Sequence, residues 1–186
     1  MTLSRRKALA LIGGGAILAA TASLAAIAGR RPRTAALPWK MAGAETEPRR
    51  RALSYALLAP NPHNRQPWLV DLREEDVVTL YVDTGKLLPH TDPMNRQITI
   101  GLGCFLELMR MAASHDGQRV TITAFPEGAD PDALDARPVA RAVFAADPTV
   151  TPDPLFAHVL DRRSNKEPYD MNRPLPGDTL ERLGAA

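Results

Sequence analysis

Ten consecutive residues carry groups that could hold a small ligand: Ala59-Pro60-Asn61-Pro62-His63-Asn64-Arg65-Gln66-Pro67-Trp68. Each proline fixes its own φ, removes an N–H donor and pushes the preceding residue toward extended backbone. The stretch therefore predicts a stiff loop that holds Asn61, His63, Asn64 and Gln66 in set directions beside an aromatic ring. Such an array suits a flat, heteroatom-rich ligand. It suits equally well a proline-rich turn whose amides satisfy only local backbone. A second polar group stands about a hundred positions later, at Asp161-Arg162-Arg163-Ser164-Asn165-Lys166. Arg offers a planar fork, Ser a short hydrogen bond and Lys a point charge, a set able to clamp a phosphate. Taken alone, it also fits a solvated turn.

Hydrophobic spacing gives the elements that would position these groups. A helix is expected from Glu47-Pro48, with Leu53, Ala56 and Leu57 on its apolar face, ending before Pro60. Residues 68–72 and 77–82 read as strands joined by a short turn, and residues 120–125 and 139–144 as two more. Between the pairs, Ile98, Leu102, Phe105, Leu106, Met109 and Ala113 keep helical spacing, which predicts a long helix over 92–113. Gly101 and Gly103 each weaken such a helix by about 1 kcal/mol relative to alanine. A close approach by another helix or by a flat ligand would explain them. A short helix is expected over 154–160 and the opening of another from Asp178. Helix, strands, long helix and strands make an α+β chain.

The charge is unevenly placed. Seven of the 23 basic residues lie before residue 41 with no acid among them, so the remaining 16 face 21 acids, a formal charge of −5. The basic isoelectric point thus belongs to the start of the chain, and no basic, aromatic-rich face is left for nucleic acid. Arg5-Arg6-Lys7 precedes an uncharged Ala/Gly-rich run from Ala8 to Ala28, the form of a twin-arginine export signal over residues 1–29. Uncleaved, the same run would act as a membrane anchor. Residues 30–46 read as a linker without periodicity. Cys104, the single cysteine, sits in the apolar helical run as a small hydrophobe. The four histidines lack metal-ligand spacing, so no metal site is expected. Arg49-Arg50-Arg51 reads as a solvated helix face.

The ten-residue stretch resembles the loop of the nitroreductase family of FMN enzymes, a proline and small polar residues followed by Asn-x-Gln-Pro-Trp. Pro60, Asn64, Gln66, Pro67 and Trp68 match it, while Asn61 and Pro62 stand where the family usually has serines. The stretches 88–93 and 96–103 are similar to exported, actinobacterial nitroreductase-like proteins. The resemblance covers the chain from about residue 48 onward. It implies a nitroreductase-like mixed sheet with packed helices. It also implies FMN held by Pro60, Asn61, Pro62, Asn64 and Gln66 and by Arg162, Arg163, Ser164 and Lys166. Arg162, Ser164 and Lys166 match the family's Arg-x-Ser-x-Arg/Lys element at the flavin phosphate and N1/O2 edge. The implied activity passes electrons from NAD(P)H through FMN to a nitroaromatic or quinone, with no catalytic acid or base. Sequestration of flavin without turnover is the alternative.

In ordinary members of the family the basic element precedes the loop, and two subunits build each site. Here it follows the loop, as expected if residues 47–150 form a first half and 151–186 the start of a fused second half. On that expectation the chain is a fragment, or a natural half that self-associates. The basic element would then meet the loop only with a packed second half in place, and residues 1–186 would hold FMN poorly.

Overall fold

The computed structural model describes residues 4, 18–24, 26, 29, 34–130 and 132–185. Arg5, Arg6 and Lys7, and with them the export motif, lie outside the described residues, as do Arg30, Arg31 and Arg33. Among the described residues, no helix is long and apolar enough to cross a membrane.

From residue 34 onward the described residues form four α-helices and four strands: α1 (Leu37–Met41), α2 (Pro48–Ala56), β1 (Trp68–Asp71), β2 (Val77–Val82), α3 (Arg96–His115), β3 (Gln118–Ala124), β4 (Ala140–Ala146) and α4 (Gly177–Gly184). The strands form one sheet in the order β1-β2-β4-β3. Every pairing is antiparallel, with Trp68 opposite Val82, Leu80 opposite Ala140 and Val120 opposite Phe144. The chain is α+β, and the parallel part of the expected mixed sheet is absent among the described strands.

The core is a helix face laid on a sheet face. Ile98, Leu102, Phe105 and Met109 of α3 are fully buried. They pack with Val78, Leu80 and Val82 of β2 and with Ala140, Ala142 and Phe144 of β4. Alternation along β2 sends these residues inward, because strand side chains repeat every second position. Ala52 and Ala56, both buried, let α2 lie close to α3.

Helix ends follow local chemistry. The Glu47 carboxylate accepts from the N–H groups of Arg49 and Arg50, and Pro48 opens α2 where no N–H is needed. Burial pushes the Glu47 pKa up, but these bonds and the Arg49 guanidinium outweigh it, leaving the group below its ordinary value. At α3 the cap comes from farther back: buried Asp92 accepts from the Ile98 N–H at 3.0 Å. Asn95 takes a left-handed turn just before the helix (φ 52°).

Two expectations need correction. The arginine run is not merely a solvated face. Arg49 Nη1 donates to the carbonyls of Leu72, Glu74 and Val77, stapling the β1–β2 turn to α2. Arg51 donates to Asp116 and to the Gly43 carbonyl. The stretch read as a linker without periodicity contains α1, one turn of helix with Pro38 in its first turn.

Candidate functional site

The proline-rich loop joins α2 to β1 and is held from both sides. Trp68 drops into the core against Phe105, with ring centroids 4.9 Å apart. On the other side, a Cβ built on Gly101 would lie 3.2 Å from the Asn61 Cβ and 3.3 Å from the Pro62 Cδ. A side chain at Gly101 would thus be tighter than ordinary packing, because the loop presses on α3 there. A Cβ on Gly103 meets nothing, so the expected packing reason applies to only one of the two glycines.

Inside the loop, Asn61 is the brace. Its Nδ2 donates to the Ala59 carbonyl and its Oδ1 accepts from the Gln66 N–H at 2.8 Å. Arg65 donates to the carbonyls of Lys86 and Gly85, and the Lys86 ammonium donates to the Gln66 carbonyl. His63, Asn64 and Gln66 all have φ near +50°. That region is uncommon outside glycine and is held only where surrounding structure fixes it. Stiffness is real here, and strain accompanies it.

The basic element reaches this loop by a docked path. Phe156 packs on Tyr55 and on His115, with centroids 4.9 and 4.6 Å away. Asp153 caps the turn over Pro154–His158 and pairs with Arg110 of α3 at 3.0 Å. Arg162 then donates to the Leu58 carbonyl at 2.8 Å, at the end of α2. The expectation that the element meets the loop only with a second half in place is not met, because this path lies within the chain.

The two segments line one cavity of about 630 Å³. Leu57, Leu58, Ala59, Pro60, Asn61, His63, Asn64 and Gln66 come from the loop side, and Arg162, Ser164 and Lys166 from the basic element. That volume is within the range of small-molecule sites. Three expected site residues depart from their assignment. Asn61 lines the cavity, but its amide is engaged in the loop. Pro62 faces a separate shallow cleft with Ile100, Gly101 and Cys104, on the α3 side of the loop. Arg163 does not line the cavity; its Nη1 donates to the Leu160 and Arg162 carbonyls. Cys104 is half-buried rather than buried.

The aromatic ring at the cavity is also a different one. Trp68 belongs to the core, whereas Trp39 of α1 lines the cavity together with Ala35 and Pro38. The Arg163 guanidinium lies 5.7 Å from the centre of the Trp39 ring. Sequence reading missed this wall because a five-residue helix gives no period to detect. The one signal was a tryptophan beside a proline in a stretch otherwise poor in aromatics.

Two buried donors of cavity-lining residues, Trp39 Nε1 and Arg162 Nε, have no partner among the described residues. A buried donor left without an acceptor costs about 1–3 kcal/mol. Cations, a hydroxyl and free amides around apolar Leu57 and Pro60 make a donor-rich lining. This lining fits a flat molecule that carries acceptor atoms and a negative group, as FMN does.

No family model matches the chain. A Mycobacterium tuberculosis protein called "Putative NAD(P)H nitroreductase" is 30% identical over 122 residues, covering 65% of this chain and 37% of that protein. An uncharacterized protein of the same organism is 32% identical over 124 residues, covering 64% of this chain and 35% of that one. The chain thus spans little more than a third of the length of these relatives. A crystal structure titled as a "Putative NADH Oxidase" from Clostridium acetobutylicum overlaps with a TM-score of 0.44 at 13% identity, over 55% of this chain and 77% of that one. In sequence, the chain resembles nitroreductases over 65% of its length.

Proposed function

We propose that this chain supplies an FMN site in an exported oxidoreductase that passes electrons from NAD(P)H to a small electrophile such as a quinone or nitroaromatic. One observation carries the reading. The two segments that resemble the two parts of a nitroreductase flavin site, far apart in sequence, line the same cavity. Bound FMN would take a hydride from the donor and return it to the acceptor.

The protein's part is to bind and orient. Leu57 and Pro60 offer an apolar surface to a flat ring, and the Asn64 and Gln66 amides are available to its polar edge. Arg162 is fixed by the Leu58 carbonyl, which aims its remaining donors rather than leaving them free. Ser164 and Lys166 add a hydroxyl and a mobile positive charge suited to a phosphate. Hydride transfer needs no protein acid or base, and none is assigned. The division into 47–150 and 151–186, completed by a second half or a second copy, belongs to the same proposal. So does twin-arginine export through Arg5 and Arg6.

Titration of the purified protein with FMN, followed by flavin fluorescence and gel filtration, tests the site. Weak but saturable binding is expected of residues 1–186 alone, with NAD(P)H oxidation supported by menadione once flavin is loaded. Absence of saturable binding overturns the flavin reading; tight binding without turnover replaces catalysis by sequestration. Replacing Arg5 and Arg6 by lysine should abolish export on cell fractionation, and unchanged export removes the twin-arginine assignment.

A further inference from the structure

The wall formed by α1 differs from the rest of the cavity in how it is held. A helix of five residues has no stability of its own and depends on its contacts. Leu37 and Met41 are about half exposed, at 46% and 56%, so little apolar packing fixes it. Its C-terminal end is pinned instead: the Gly43 N–H donates to Ser54 Oγ at 2.8 Å and the Gly43 carbonyl accepts from Arg51. Gly43 has φ +81°, and a Cβ there would fall 2.5 Å from the Tyr55 hydroxyl. The turn is therefore anchored at Gly43. At its far side Trp39 meets Arg163, whose guanidinium is braced by two carbonyls of its own turn.

We propose that Trp39 is a movable wall of the cavity, latched by Arg163 and hinged at Gly43, and that opening this latch admits the ligand. The latched state shuts away two N–H donors, Trp39 Nε1 and Arg162 Nε, without acceptors. Opening exposes them to water, and an incoming ligand with oxygen acceptors satisfies them. Closure is thus opposed by the two donors and favoured by the cation–π contact. The latch governs access to the cavity whatever occupies it and goes beyond the flavin reading.

Acrylamide quenching of tryptophan fluorescence tests this without any ligand. The chain has two tryptophans, and Trp68 is buried at 9% exposure. A Trp39→Phe variant therefore isolates the Trp68 signal, which is subtracted. Loss of an exposed cation–π contact in Arg163→Gln is expected to raise the quenching rate of Trp39 about two- to fivefold. Arg163→Lys, which keeps the cation, should stay nearer the wild-type value. Equal quenching in wild type and Arg163→Gln overturns the latch. Stopped-flow mixing with FMN gives the second readout, with association faster in Arg163→Gln by a similar factor; an unchanged association rate also counts against the latch. If FMN fails to bind, the flavin reading falls and the quenching comparison alone decides the latch.

Discussion

The loop at 60–68 and the basic element at 162–166 face one cavity but are built in opposite ways. The loop is fixed three times over, by Trp68 in the core, by Gly101 beneath it and by the Asn61 amide within it. The basic element is anchored by Arg162 on Leu58, and beyond it residues 163–176 are exposed. Shape in this site therefore comes from the loop, and charge from a segment that can adjust. Mutations should separate the two roles.

The largest effect is expected from Phe105→Ala. Removing a fully buried ring under Trp68 should cost about 3–5 kcal/mol of stability, read as a lower urea midpoint, and release the loop with it. Lys166→Ala comes next and acts on the other region alone. Loss of a charge-assisted bond should weaken FMN affinity by about 1.5–3 kcal/mol, roughly ten- to a hundredfold, with the urea midpoint unchanged. A stability loss in Lys166→Ala, or unaltered affinity, would break the division of roles. Asn61→Ala should remove about 1 kcal/mol through the loop brace, seen as faster amide exchange at Gln66.

The smallest effect concerns acid. Asp147, in the turn that leads from β4 toward the basic element, accepts from the Thr149 hydroxyl and N–H and from Arg119, which hold its pKa down at about 2. Its folded pKa lies below the ordinary value of 3.8, so its contribution is present above that value and is lost as pH falls through about 2. A titration of the Asp147 carboxyl by NMR should show that midpoint, and a midpoint near 3.8 would remove the bonded turn.

The loop and the strands were legible in the sequence because proline restriction and period-two alternation act locally. Residues 78–82 alternate in burial as the pleat requires, with Val77 also buried. Three things were not legible. The role of Arg49 depends on carbonyls more than twenty residues away, and that of Gly101 on a loop forty residues earlier. The Trp39 wall has no periodic signal at all. Asn61 illustrates the limit within a single side chain. Its type announced hydrogen bonding, but only the fold shows that the partners are Ala59 and Gln66.

The Arg162–Leu58 hydrogen bond joins residues 104 positions apart. Contacts of such separation form late, because a long chain must be closed before they contribute. During synthesis the loop, α3 and the β3–β4 pair can assemble while residues beyond Asp161 are still inside the ribosome. The cavity gains its positive side last. A nascent chain thus carries the loop side of the cavity before Arg162, Ser164 and Lys166 join it.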